Sequence, residues 1–491
     1  SWRKVYLGGT DDSRQNNLMN YDTTTMAFIG DYQMGNQLIT FGYDFSETTI
    51  FNMFMQESIG GEWDFVSVAN FDAGNVKFDF QNTASLNPRD ASKEWAYDVS
   101  TLFVQSEMSL SDDLDVSYGI RYEKYGVEEA PAANAGFAST YGYSNALTFD
   151  GAEVLMPRIS FSYRADDVTE YYGGFGVFSG GNPAVWFSNN YSNNGVTIID
   201  GDGNYNAFTD TMCDPLTGSP STAGPGYAVP CGAIAEVTGG TGGGDTNSLD
   251  PNFDMPTFKK LSFGMKKQMG EYDVTVDWMY TRNKNPLYVY NLANNIGAFT
   301  ATGHAISDSS GCCTGDYSLA NSGATPKTVV FSINANRSIE LAGHDMDLTL
   351  GYTNTDAQDV HPMASSVAYT NANENLVTLN PNDPSPARSN WEIEHRFVST
   401  LNFMLADKTN VSLFYQLASG NPYSLSSYGD TASYACQLNM QPCWRAGDFP
   451  SIPLVIGENT QYTDSAAGMR NLDEGIYERN AFTTNWSSRL D

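Results

Sequence analysis

About a dozen stretches of this 491-residue chain alternate apolar and polar side chains with a period of two, and the segments joining them are by turns very short and very long. One stretch shows the pattern in full. Leu114, Val116, Tyr118, Ile120 and Tyr122 fall on one side, and Asp115, Ser117, Gly119, Arg121 and Glu123 on the other. Successive side chains of a strand point to opposite faces, so one face is apolar and the other wet. Six hairpins carry the repeat. Met26–Met34 returns through Ile39–Phe45 about Gly35-Asn36, and Leu102–Leu110 returns through Leu114–Tyr122 about Ser111-Asp112-Asp113. Ile159–Tyr163 pairs with Tyr171–Phe178 about Arg164–Asp167, and Leu261–Met265 with Val274–Tyr280 about Met269–Glu271. Val329–Ile333 pairs with Met346–Tyr352 about Ala342-Gly343, and Phe397–Leu405 with Val411–Tyr415 about Ala406–Lys408.

The connections between hairpins are long, at about 46–95, 126–152, 179–256, 291–325, 354–392 and 418–484. In a compact soluble domain, structureless loops beyond about 15 residues are uncommon, and nothing makes every second one long. A transmembrane barrel does so, with short periplasmic turns on one rim and long extracellular loops on the other. The expected fold is therefore all-β: residues 1–491 form one antiparallel transmembrane β-barrel domain of about twelve strands, each of the roughly 10 residues that cross the hydrocarbon when tilted. The competing arrangement is a large secreted β-sandwich with Leu114, Val116 and Tyr118 buried inside. In the barrel these residues, with Ile120 and Tyr122, face lipid, while Asp115, Arg121, Glu123, Asp273, Thr275, Asp277, Asp345, Asp347 and Thr349 line a hydrated lumen. Aromatics near strand ends, namely Trp95, Tyr97, Tyr122, Tyr125, Trp278, Tyr280, Tyr415 and Tyr423, are expected in the interfacial girdles.

Composition agrees. Tyr (29) and Phe (27) are plentiful, Gly reaches 45 and charged residues are 17%, yet no apolar run approaches the length of a membrane helix. The formal charge of −32 argues against nucleic acid, which is itself a polyanion. It is compatible with divalent cations bridging an acidic surface to outer-membrane lipid and lipopolysaccharide. The six cysteines, Cys213, Cys231, Cys312, Cys313, Cys436 and Cys443, all lie in Gly/Pro/Asn/Ser-rich stretches. Cys213 with Cys231 and Cys436 with Cys443 read as short disulfide-closed loops in an oxidising compartment, while the pairing of the adjacent Cys312 and Cys313 stays open. The sequence starts at Ser1 with neither a methionine nor a signal peptide and ends at Asp491 in a polar run, which reads as an internal piece of a longer protein.

Several motifs resemble TonB-dependent outer-membrane receptors. Leu102–Glu107 followed by Leu114–Tyr122, with its Gly-Ile-Arg-Tyr, is similar to that family's paired barrel strands. Phe178–Asn189, Leu249–Phe253, Ser365–Tyr369, Glu394–Phe397 and Ser419–Ser424 resemble the Oar-like branch. The resemblance implies a barrel of about 22 strands, of which this chain would be about half, preceded by a plug domain and a TonB-contacting motif not found here.

No catalytic set accompanies the four histidines, His304, His344, His361 and His395, and an enzyme is not expected. Two candidate sites stand out. Asp200, Asp202, Asn204 and Asn206 place oxygen ligands at alternate positions between glycines, as Ca²⁺ requires, although Tyr205 stands at the glycine position of an EF-hand and no Glu closes the loop. Trp186, Phe187 and Tyr191 lie among Asn189 and Asn190 at the start of the longest loop, a mixture that suits an unknown sugar or peptide ligand or that folds the loop onto its neighbours. The expected function is ligand uptake by a TonB-coupled outer-membrane receptor. The alternatives are a surface adhesion or structural protein, a protein-export conduit of the Oar-like type, and a passive porin.

Overall fold

The computed structural model describes residues 15–293, 296–299, 305–307, 315–341, 344–375, 377, 380–406, 409–424, 426–428, 451–453 and 477–478. Twelve long strands follow one another in a single antiparallel meander. They are β1 (Asn16–Met34), β2 (Gln37–Met55), β3 (Lys93–Ser111), β4 (Leu114–Val127), β5 (Glu153–Asp166), β6 (Thr169–Ser179), β7 (Thr257–Met269), β8 (Tyr272–Lys284), β9 (Lys327–Leu341), β10 (His344–Asp359), β11 (His395–Ala406) and β12 (Thr409–Ala418). Each pairs with the next, and among the described residues β1 and β12 end the path without pairing with each other.

The turns at one rim are tight. Gly35 (φ 62°) and Gly270 (φ 66°) occupy the first central position of two-residue loops between β1 and β2 and between β7 and β8. That is the type II′ arrangement, whose twist matches the flanking strands. The third turn lies later than expected from sequence. β5 runs on through Asp166, and the bend falls at Asp167-Val168, where the Asp166 side chain accepts from the Val168 amide at 2.9 Å. The expected bends at Ala342-Gly343 and Asp407-Lys408 lie outside the described residues.

The strands are longer than sequence periodicity indicated. β1, β2 and β3 each span 19 residues, roughly 60 Å at about 3.3 Å per residue, twice what a membrane needs. Consequently the first long connection is 56–92 rather than 46–95. The outer parts of these strands carry Ile50, Trp95 and Tyr97, which are buried against loops and so were not recognisable as lipid-crossing alternation.

The two faces of the sheet are chemically distinct. Tyr118 and Ile120 are exposed on one face of β4, in register with Ile159 and Phe175 and with Val104 and Phe41 on neighbouring strands. Phe263, Trp278 and Phe331 continue this exposed apolar side across β7, β8 and β9. On the opposite face Arg121, Glu123 and Tyr125 share their side with the buried loop core, so this face is the lumen and the apolar one meets lipid.

Two large apolar cores form where the outer strand ends meet the loops and among the loops themselves. One gathers Trp95, Tyr125 and Met156 with Phe149, Phe187, Tyr191, Leu249, Val289, Leu319 and Ala368, uniting four loop connections. The other packs Val76, Phe78 and Phe80 of connection 56–92 against Ile199, Val229, Ala233 and Val237 of connection 180–256. The long connections are thus folded, with helices α1 (Ala184–Ser192), α2 (Cys231–Gly239) and α3 (Ala368–Glu374) among short strands. Trp95, Tyr97 and Tyr125, expected in the girdles, belong to the first core instead and are 2%, 7% and 2% exposed. The side chain of Tyr423 lies outside the described residues.

Candidate functional site: the loop cap and the luminal wall

The cap is built around α1, whose side chains from Phe187 to Ser192 are all buried. Phe187 is wholly enclosed, edge-on to Trp95 at 5.2 Å and to Phe149 at 4.8 Å. Tyr191 stacks on Trp95 with ring centroids 4.9 Å apart, and its hydroxyl donates to the Glu129 carbonyl. Trp95 in turn donates its Nε1–H to Ser188 Oγ at 2.8 Å. The aromatic faces are therefore satisfied by protein.

Hydrogen bonds from α1 tie it to a distant stretch. Trp186 Nε1 donates to the Ser365 carbonyl at 2.8 Å, and Asn189 Nδ2 donates to the Ser366 carbonyl at 2.7 Å. Two stretches resembling receptor motifs, separated by some 180 residues, thus meet as one clamp. The side chain of Asn190 is buried, and its Nδ2 has no protein partner among the described residues. The five candidate ligand residues therefore come together, with four turned into the cap core and Trp186 half-buried at its edge.

His361 holds the other half of the clamp. Its Nδ1 accepts from the Met363 amide at 3.0 Å, so Nε2 carries the proton and donates to the Asn371 carbonyl at 3.1 Å. Burial lowers its pKa to about 4, because a charged imidazolium loses its hydration there. Asn371 closes the turn, donating to the Ser365 carbonyl at 2.7 Å while its Oδ1 accepts from the Ser365 amide at 3.0 Å. Single-sequence reading passed over His361 because nothing beside it in the chain marks it as chemical.

The candidate calcium residues diverge. Asp202 Oδ1 accepts from the Phe80 amide at 2.9 Å, and Asn206 Oδ1 accepts from the amides of Phe208 and Thr209. Asn204 sits exposed opposite Lys77 in a strand pairing. Asp200 stays near them, and burial together with the charge of Asp202 pushes its pKa up to about 6. The stretch is a β-element docked on connection 56–92, and among the described residues no three acidic, histidine or cysteine side chains cluster as a metal would need. Nearby, Cys213 and Cys231 are bonded, joining the base of α2 to the second core. Cys312, Cys313, Cys436 and Cys443 lie outside the described residues.

Below the cap the lumen wall is polar and ordered. Arg121 donates to Asp44 and Glu123, each at 2.9 Å, and to Thr101, while the Tyr125 hydroxyl donates to the second oxygen of Glu123 at 3.0 Å. A second group sits on β5 to β8. Glu170 accepts from Ser162 at 2.7 Å and pairs with Lys266 at 3.3 Å, and Tyr172 donates across β7 to Asp277. Tyr172, Gly264 and Asp277 are in register, and a Cβ at Gly264 would strike the Tyr172 ring. Gly42 accommodates Phe103 on β3 in the same way.

An antiparallel meander with a lipid-compatible exterior, a charged interior, tight turns on one rim and folded loops on the other defines an outer-membrane barrel. Residues 5–485 match the family model of the outer membrane beta barrel domain, and the chain belongs to that family. It is a bacterial outer-membrane protein. No curated protein matches its sequence. Among solved structures it is similar to the outer membrane transporter YddB from Escherichia coli, with a TM-score of 0.50 and 10% identity over 89% of this chain and 46% of that one. It is also similar to the FrpB iron transporter (F5-1 variant) from Neisseria meningitidis, with a TM-score of 0.44 and 10% identity over 83% of this chain and 45% of that one. The chain spans about half the length of the solved structures it matches.

Proposed function

We propose that the chain forms the wall and outer cap of a TonB-dependent receptor of the Oar-like type, which captures a ligand with its external loops and admits it through the lumen. The cap carries this reading. Four loop connections share one buried core on the luminal face, above a wall of paired charges and hydroxyls. A passive porin keeps a water-filled channel, whereas here Phe149, Phe187 and Tyr191 are packed against the inward side of β3. Energy coupling through a plug and TonB, and the contact with lipopolysaccharide, are parts of the same proposal. No step in it requires catalysis.

The test follows the compounds that cells remove from a defined medium. Wild-type cells, a deletion strain, the complemented strain and a strain lacking TonB are compared by mass spectrometry of the spent medium. The expected outcome is a class of compounds depleted only where both the receptor and TonB are present. Identical depletion in all strains, accompanied by a changed secreted proteome, would instead establish export.

A further inference from the structure

The lipid-facing side carries a feature that ligand uptake does not use. On β7, β8 and β9 the residues Lys259, Arg282 and Lys327 are direct cross-strand neighbours, Lys259 opposite Arg282 and Arg282 opposite Lys327. All three are exposed. Each lies on the face that carries Leu261, Phe263, Trp278 and Phe331, because each is an even number of residues from them along its strand. Adjacent strands are about 4.8 Å apart, so three cations stand within roughly 10 Å. The chain has only 25 Lys and Arg against 57 Asp and Glu, so such a row is not a general property of its surface.

Its height is equally specific. The row lies at the loop end of all three strands, and Lys267 and Arg337 occupy the same face near the turn end. Eight to ten residues separate the two levels on β7 and β9, roughly 26–33 Å of strand and, at a tilt near 45°, about 19–24 Å across the membrane. That matches the roughly 25 Å apolar band of an outer-membrane barrel, and the row falls at the outer headgroup level. Thr325 Oγ1 accepts from Arg282 Nε at 2.9 Å and Nη2 at 2.6 Å, orienting the guanidinium. Among the described residues none of the three forms an ion pair; the carboxylate of Asp356, opposite Val329, lies one step toward the membrane. The row ends at Arg388, which Glu392 and Glu394 already hold at 3.5 and 3.4 Å.

We propose that Lys259, Arg282 and Lys327 form a binding site for the phosphorylated glycolipid of the outer leaflet, the phosphate group seated on the row and the acyl chains lying along Leu261, Phe263, Trp278 and Phe331. Guanidinium and ammonium donors recognise phosphate oxygens by charge-assisted hydrogen bonds, and the aromatic stretch beneath supplies the apolar contact. The inference rests on the outer-membrane placement of the barrel, not on what the barrel transports.

The experiment uses the full-length protein in detergent and native mass spectrometry with added diphosphoryl lipid A. Wild-type protein should retain the lipid. The triple variant Lys259→Gln, Arg282→Gln, Lys327→Gln should lose about fivefold per cation, on the order of a hundredfold in all. A control variant with the same charge change off the lipid face, Lys77→Gln, Lys93→Gln, Lys260→Gln, should bind as wild type does. Should the triple variant not fold, the wild-type protein carries the test alone, because lipid A stripped of its phosphates should then bind at least tenfold more weakly. Equal retention by the triple variant, or equal binding of the dephosphorylated lipid, overturns the proposal, as does an equal loss in the control variant.

Discussion

Lowering the pH should loosen the cap through His361. In the folded cap this imidazole is neutral, with Nδ1 accepting from Met363 and Nε2 donating to Asn371. Its pKa is about 4 when folded, against an ordinary value of 6.5. A histidine with a lowered folded pKa penalises the folded state wherever the open segment binds the extra proton. Its stability is thus fully present above about pH 6.5 and is lost as pH falls toward 4. That lowering of the pKa corresponds to roughly 3 kcal/mol in all, and at pH 5 the loss is about 2 kcal/mol, some thirtyfold in the opening equilibrium. Protonation also removes the acceptor of the Met363 amide and strains the turn whose Ser365 and Ser366 carbonyls hold Trp186 and Asn189. Hydrogen exchange of residues 360–375, measured between pH 7.5 and 5 and corrected for intrinsic rates, should reveal a loss of protection of this size. His361→Gln should be less protected at pH 7.5 and show no such slope. Protection independent of pH in the wild-type protein would refute the reasoning.

Further outcomes follow from the same geometry. Trp95→Ala, which empties a fully buried site and strands Ser188, should cost about 3–5 kcal/mol in cap stability, read by protease resistance of residues 180–256. Ile120→Arg on the lipid face should cost about 2–4 kcal/mol if it lies near the midplane, whereas Ser117→Arg on the luminal face should leave folding yield unchanged; equal costs would contradict the facing. Replacing Cys213 and Cys231 with Ala opens an 18-residue loop and should destabilise the second core by about 3 kcal/mol, leaving the membrane strands intact by circular dichroism. Gly264→Val should expel the Tyr172 ring and break its bond to Asp277, altering single-channel behaviour in planar bilayers more than Tyr172→Phe does.

The meander was legible because strand periodicity and turn chemistry are local. Gly35 and Gly270 mark their bends, and the alternation around Leu114–Tyr122 assigns both faces without reference to anything distant. The cap was not legible, since its contacts join residues such as Trp186 and Ser365 that are far apart in the chain. Asn189 and Ser188 are polar yet enclosed, a state single-sequence patterns do not announce. The aromatic girdle was the one readable feature drawn too broadly. Tyr125 shares the parity of Arg121 and Glu123, and Trp95 and Tyr97 that of Thr101, so alternation alone assigns all three inward. The alternate oxygens from Asp200 to Asn206 show the opposite hazard, because the oxygens of Asp202 and Asn206 are taken up by the backbone amides of Phe80, Phe208 and Thr209 rather than turned to a common centre.

The rings that lie across glycines have a mechanical consequence. Tyr172 spans Gly264, and Phe103 rests over Gly42, each filling the gap left by a missing side chain on the neighbouring strand. Sliding either strand by two residues would drive its ring into a side chain, so these pegs resist shear between strands as a key resists rotation of a shaft. A wall pinned in this way keeps its register under lateral load, without relying on the hydrogen-bond ladder alone.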